Sequence, residues 1–325
     1  MSRARYVLAF AALFALAASG TSARAAEYPT KPIRIVTPYA PGGTADIMAR
    51  LVAKALTDAW GQSVVVENRA GAAGTIGTEV VAKAPADGYT LLAAYVTEIA
   101  LAPRLYANVP YDPLKDLAPV ALTALTPMVL VMNPAVPAAN LKEFIALAKT
   151  QPERYAFASA GAGSPAHLAG EVLQRAAGIR LNHVPYKGGG QALADTVGGH
   201  TALFFSSMPS AMPLIKSGKL KAIAVSSANP VAAAPDIPAV AQAAGIDFDI
   251  VAWNGLFAPA GTPKAVIDKL NAVVTKALTV PEVQQRLASE GADTKAWTAD
   301  EYGRFVRSET DKFAKIIKEA NIKAD

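Results

Sequence analysis

The chain has 325 residues, no cysteine and three histidines, with 31 Lys plus Arg against 26 Asp plus Glu. Its length exceeds one ordinary hydrophobic core, so two domains are expected, and the missing cysteine excludes disulfides, thiolate nucleophiles, cysteine-ligated metals and lipid attachment at cysteine. Arg3, Arg5 and Arg24 fall in the leader described next and no acid does, so the net charge drops from +5 to +2, too little to argue for nucleic acid.

Residues 1–25 read as a secretory signal peptide: Arg3 and Arg5 form a basic start, Tyr6 to Ala18 is apolar, and Ala23-Arg24-Ala25 fits a cleavage site. The alternative, a membrane anchor, is disfavoured because a span needs about 20 apolar residues. The remainder, about 300 residues, is expected to be a soluble periplasmic protein.

The stretch Tyr28-Pro-Thr-Lys-Pro-Ile-Arg-Ile-Val-Thr-Pro-Tyr-Ala-Pro-Gly-Gly-Thr-Ala-Asp46 predicts a buried strand, a glycine-rich loop and a helix start. Ile33, Ile35 and Val36 form the strand, and Pro38 ends it because proline cannot donate to a ladder. Gly42 and Gly43 permit a tight turn, and Thr44 or Asp46 can cap the helix. A helix start at the carboxyl end of a strand suits a small anion.

The helix runs over 46–60 with Ile47, Leu51, Ala55 and Leu56 on one face. A strand follows over 62–67, a loop over 68–74, a helix over 76–83 and a strand over 90–95. Two apolar runs, 117–125 and 128–132, are divided by Thr126-Pro127. Then come a helix over 141–150, a strand over 155–159, a helix over 164–177, a strand over 181–185, a helix over 191–198 and a strand over 201–205. A helix over 211–217 and a strand over 220–226 lead to an Ala- and Pro-rich loop over 228–238. The strand 251–257 precedes three closing helices, 264–278, 281–290 and 299–320. The alternation argues for α/β with mostly parallel sheets flanked by helices. Apolar crossings near 128–134 and 251–257 suggest a two-strand hinge. The expected domains are 26–130 with 251–325, and an inserted 131–250.

Two more strand–loop–helix turns resemble the first. In Tyr155-Ala-Phe-Ala-Ser-Ala-Gly-Ala-Gly-Ser-Pro-Ala-His167, Ser164 is a good N-cap and Pro165 fits the first helical position. His183-Val-Pro-Tyr-Lys-Gly-Gly-Gly-Gln191 is the other. Singly each is an ordinary tight turn; together they suggest one cleft at the carboxyl ends of strands. Gly161-x-Gly163-x-x-Ala166 loosely matches a dinucleotide fingerprint, but no acid ends the next strand. An exported serine hydrolase using Ser159 or Ser164 with His167 or His183 is the enzyme alternative, though no G-x-S-x-G elbow surrounds either serine. The histidines show no metal-ligand spacing. Neither a cofactor nor a metal is expected.

These residues, together with Val66-Glu-Asn-Arg-Ala-Gly-Ala-Ala-Gly-Thr-Ile-Gly77, Pro110-Tyr-Asp-Pro-Leu-Lys-Asp-Leu-Ala-Pro-Val120, Val184-Pro-Tyr-Lys-Gly188 and Ala258-Pro-Ala-Gly-Thr-Pro263, resemble the tripartite tricarboxylate transporter substrate-binding proteins, the TctC or Bug family. The resemblance covers essentially the whole chain after the leader. It implies a periplasmic two-lobed clamshell of the type II binding-protein kind. Such a receptor, not an enzyme, captures a small organic carboxylate and delivers it to the membrane permease subunits. A monomer is expected; a receptor reporting to a sensor kinase is the alternative that no single chain excludes. The family's site maps onto Tyr39, Ala40, Gly42, Gly43, Thr44 and Asp46 in the first loop, and onto Ser159, Ala160, Gly161, Ser164 and His167 in the second. Tyr186, Lys187 and Gly188 in the third, with Ser207, complete the second-domain set. One departure stands out: where the family often has a small or hydroxyl residue followed by His, this chain has Thr97-Glu98. Glu98 is expected either in solvent, paired with a surface Arg, or at the cleft mouth, where it would disfavour a second carboxylate.

Overall fold

The computed structural model describes residues 28–42, 44–289 and 291–322, so the expected leader lies outside the described residues. No helix among the described residues is long and apolar enough to cross a membrane.

The first sheet begins with β1 (Ile33–Thr37), whose Ile33, Ile35 and Val36 are buried as their spacing predicts. It pairs in parallel with β2 (Val64–Asn68) and β3 (Thr90–Tyr95). Between β1 and β2 runs α1 (Thr44–Trp60). Its buried face is Met48, Ala49, Val52, Ala53 and Leu56. Ile47, Leu51 and Ala55, expected at the centre of that face, lie on its half-buried shoulders. The turn residues 72–74 lead into α2 (Thr75–Ala82), and the short α3 (Ala102–Leu105) follows β3. Two long strands follow in space: β4 (Leu117–Met132) and, far along the chain, β9 (Val251–Pro259).

The apolar runs expected on either side of Thr126-Pro127 are one continuous strand. From Leu117 to Pro127, β4 pairs antiparallel with β9; from Met128 to Met132 it pairs with β7 (Leu203–Ser207) and β8 (Lys221–Val225). Its prolines fall where the ladder is irregular or changes partner. Pro119 lies at a register shift, and Pro127 stands opposite Val251, the first residue of β9. A residue without an N–H is tolerated at such positions.

The second sheet continues from β7 to β5 (Ala156–Ser159) and β6 (Asn182–Pro185), both pairings parallel. The sheets are therefore mixed rather than mostly parallel, because every pairing of β4 and β9 is antiparallel. Helices α4 (Leu141–Thr150), α5 (Pro165–Ala177), α6 (Gly189–Gly198) and α7 (Met208–Lys216) belong to this half. So does the short α8 (Val240–Ala244), which the sequence reading missed. After β9 come α9 (Lys264–Leu278), α10 (Pro281–Ser289) and α11 (Ala299–Ala320).

An aromatic cluster fastens α11 onto the shared strands. Tyr302 and Phe305 meet Trp253 of β9 edge-on, at 6.2 and 5.8 Å between ring centroids. Gly255 of β9 makes this approach possible: a Cβ there would lie 1.7 Å from the Tyr302 hydroxyl oxygen. Tyr302 is fully buried and has no room to withdraw. Gly255→Ala is therefore expected to lose about 1–3 kcal/mol of stability by overpacking, read as a lower urea midpoint with an unchanged slope.

Candidate functional site

The carboxyl ends of β1 and β3 in one sheet face the carboxyl end of β7 in the other across a cleft of about 400 Å³. One wall is Tyr39, Gly42, Ala45, Ile47 and Tyr95; the other is Ser207, Met208, Pro209 and Ser210 at the start of α7. Thr126, Pro127 and Met128, where β4 passes between the sheets, complete the lining.

Of the sequence-predicted site residues, Tyr39, Gly42 and Ser207 line this cleft. Ala40 is exposed beside them, Thr44 opens α1, and Gly43 lies outside the described residues. Pro209, the second residue of a helix that follows a strand and Ser207, resembles the Ser164-Pro165 signature, so Met208, Pro209 and Ser210 were recoverable from sequence. Tyr95, Thr126 and Met128 carry no such local signal. They reach the cleft only through strand pairing.

Asp46 is buried rather than offered to a ligand. Arg50 grips both carboxylate oxygens at 2.9 and 3.0 Å, and Asn68 and the Gly42 N–H donate to them at 2.9 and 3.1 Å. The Arg50 fork, with Asn68 and Gly42, holds the Asp46 carboxyl down at about 2. Asn68 also donates to the Tyr39 carbonyl at 2.9 Å. Asp46 thus ties the loop 39–42 to α1, and the Gly42 N–H is already spent on it.

Glu98 lies neither in solvent nor at the cleft mouth. A single π-helical turn, Thr97–Leu101, folds it beneath the wall, where it is wholly inaccessible. The Tyr39 hydroxyl donates to one oxygen and the Tyr95 N–H to the other, each at 2.6 Å. Gly74 leaves space for it: a Cβ there would lie 3.2 Å from the Glu98 Cβ. Burial pushes the Glu98 carboxyl up to about 8, against the opposing hydrogen bonds from Tyr39 and Tyr95. Burial and the neighbouring Glu98 in turn raise both tyrosine hydroxyls. Thr97 remains half-buried at the end of β3.

The other predicted residues share the carboxyl edge of the second sheet with Ser207 but do not line this cleft. Ser164 caps α5 by accepting from the His167 N–H at 3.3 Å. Ser159 is fully buried, donates to the Gly161 carbonyl at 3.0 Å and lies 2.7 Å from His183 Nε2. His167 accepts from the Gly163 N–H at Nδ1, 3.0 Å, and stacks on His183 at 3.8 Å between ring centroids. These groups brace the loop 160–164. A buried serine and a capping serine present no nucleophile, which removes the physical basis of the hydrolase alternative. Tyr186 donates to Asp195 at 2.7 Å, Lys187 is exposed, and Gly188 precedes α6.

The cleft lining contains no Asp, Glu, Lys or Arg. Its polar features are the α7 start, which no side chain caps, two tyrosines, Thr126, and Ser207 donating to Ser210 at 2.9 Å. Such a surface holds an anion by helix dipole, N–H and hydroxyl groups, with Ile47, Met128 and Met208 available to an apolar body.

Comparison with known proteins follows the same line. The sequence profile of the family described as "Tripartite tricarboxylate transporter family receptor" matches residues 48–322. Protein BugT of Bordetella pertussis is 37% identical over 324 residues, 99% of each chain. Rpa4515 of R. palustris with adipate is 31% identical, with a TM-score of 0.80, over 92% of this chain and all of that one. MatC (Rpa3494) from Rhodopseudomonas palustris with bound malate is 32% identical, with a TM-score of 0.74, over 89% of this chain and all of that one.

The Asp46 arrangement sets an acid limit on stability. Its folded carboxyl titrates at about 2, below the ordinary value of about 3.9. The stabilisation is therefore present above about pH 4 and lost as pH falls through about 2. Asp46→Asn is expected to lower stability at neutral pH and to flatten this acid limb, measured by urea unfolding across the acid range.

Proposed function

Since the chain belongs to the tripartite tricarboxylate transporter receptor family, we propose that it is a periplasmic solute receptor that takes a small organic carboxylate into the cleft between residues 39–47 and 207–210. It then presents that ligand to the permease subunits of a tripartite tricarboxylate transporter. The observation that carries the reading is the cleft wall itself: an uncapped helix start and hydroxyls, with no formal charge among the lining residues. A carboxylate held by dipoles avoids the desolvation of a buried lysine or arginine and releases readily when the cleft opens. Adipate and malate, named in the two similar receptors, are small organic carboxylates, which supports the reading.

The division into domains 26–130 with 251–325 and 131–250 belongs to the same proposal. The links are β4 at Pro127–Met128 and the chain entering β9 at Val251. Lobes joined at two such points close by a hinge. The loops 159–164 and 186–188, on the edge that carries Ser207, are then positioned to contribute from the second lobe.

A thermal-shift screen against acetate, succinate, malate, adipate, benzoate and citrate tests the function. A member at a hundredfold its dissociation constant is expected to add about 2.7 kcal/mol of stability, and prolonged incubation is expected to return it unchanged. No response across the panel, or chemical conversion of a bound member, overturns the reading. Solution scattering tests the hinge separately: the radius of gyration is expected to fall at saturation, and an unchanged radius rejects closure.

A further inference from the structure

A second cavity, about 470 Å³ against about 400 Å³ for the cleft, lies on the other side of β4. Thr126 and Met128 line only the cleft, Leu125 lines only the second cavity, and Pro127 borders both. Successive side chains of a strand point to opposite faces, so the crossing strand is the partition. Its flank is thin as well: Met208 of the cleft wall packs on Gly291 of the second cavity, where a Cβ would lie 2.4 Å from the Met208 Cβ. The walls of this cavity belong to different parts of the chain. The loop 227–233 and Asp249 come from the inserted stretch 131–250, whereas Ala288, Gly291, Phe305, Glu309 and Lys312 come from the other lobe. A hydrogen bond spans it: Lys312 Nζ, paired with Glu309 at 2.5 Å, donates to the Asp249 carbonyl at 3.2 Å. The Ala- and Pro-rich loop, which has no part in the cleft lining, thus faces α10 and α11 across this cavity. Ala232, Ala233 and Ala288 are exposed there.

We infer that this cavity is the counterpart of the ligand cleft across the hinge: closing the cleft widens the cavity, so how well the cavity is filled sets ligand affinity. The links between the proposed lobes, Pro127–Met128 and the chain at Val251, lie between the two spaces, and Val251 itself lines the second. A rotation about a line that separates two spaces narrows one as it widens the other. Closing therefore draws the loop 227–233 away from α10 and α11 and breaks the hydrogen bond from Lys312 to Asp249. That loss opposes the ligand's own contacts and lowers its apparent affinity. Alanines at 232, 233 and 288 leave the cavity free to narrow, which keeps the receptor open without ligand and helps it release what it carries. A large side chain fixed on one wall blocks the narrowing and favours the closed form.

This inference rests on the hinge division proposed above, and the experiment separates it from the carboxylate reading. Ala232→Trp and Ala288→Trp fill the cavity from opposite walls, and Ala232→Leu fills it in part; neither position lines the cleft. The tightest binder among acetate, succinate, malate, adipate, benzoate and citrate is titrated calorimetrically into each protein. Both tryptophan variants are expected to bind it about tenfold more tightly than the wild type, as a rise in the closed fraction from about a twentieth to about a half gives. Ala232→Leu is expected to fall between them and the wild type. Solution scattering without any ligand is expected to give the tryptophan variants a smaller radius of gyration than the unliganded wild type. If no probe binds, the carboxylate reading fails, and the unliganded radii alone decide this inference. Tryptophan variants that fold but bind no more tightly, or whose unliganded radius does not fall, overturn it and leave the carboxylate reading standing. Should the wild type not contract with a bound probe, the hinge division fails and this inference with it. Should a tryptophan variant not fold, Ala232→Leu, at an exposed loop position, decides by the same two measurements.

Discussion

Everything in this molecule hangs on one strand serving two sheets. The sixteen residues of β4 hold β9 with their first part and β7 and β8 with their last. The change of partner falls at Pro127, where a missing N–H costs nothing because no ladder bond is due. The same crossing brings the carboxyl ends of β1 and β3 opposite the carboxyl end of β7. The cleft is therefore a consequence of topology, placed where the sheets meet and the strand ends converge, as ligand sites in open α/β folds generally are.

Around that cleft charge is kept behind the walls rather than on them. Asp46 is neutralised by Arg50 within its own helix and used to anchor the loop that carries Tyr39 and Gly42. Glu98 is deeper, and among the described residues no cation acts on it, so burial raises its carboxyl instead. Both acids are hydrogen-bonded to groups that shape the wall, Asn68 and Gly42 in one case and Tyr39 in the other. A wall of this kind offers an anion oriented dipoles rather than a fixed charge.

The second sheet shows the same economy with different parts. Ser164, His167, Ser159 and His183 look like a hydrolase's materials when written in a line. In space they are capping and bracing groups, because Ser159 Oγ, Ser164 Oγ, His167 Nδ1 and His183 Nε2 each meet a hydrogen-bond partner in or beside the loop they hold. That loop packs its Gly163 against Leu105 of the first half, where a Cβ would come within 2.5 Å of the leucine. The backbone there has φ of +72°, so glycine is required on two independent counts.

Much of this was legible in the residues alone. The closing helices 264–278 and 299–320, the helix 141–150 and the strand 90–95 carry periodicity and caps that act between near neighbours, and the structure keeps those bounds. Ser164 as a cap and the α/β alternation belong to the same class of local signal. What the chain could not disclose were the facts made by distant partners. The single strand through Thr126-Pro127 depends on Val251, and the burial of Glu98 depends on Tyr39, Gly74 and Tyr111, from three other segments. Tyr95 and Met128 face the cleft only because their strands are aligned by β9 and β7. Local pattern determined which elements form and what kind of ligand their ends suit, since helix and strand periodicities are short-range properties of the backbone. Only the tertiary structure decided which ends meet and which acids are hidden, because burial and pairing are set by residues brought together from across the chain.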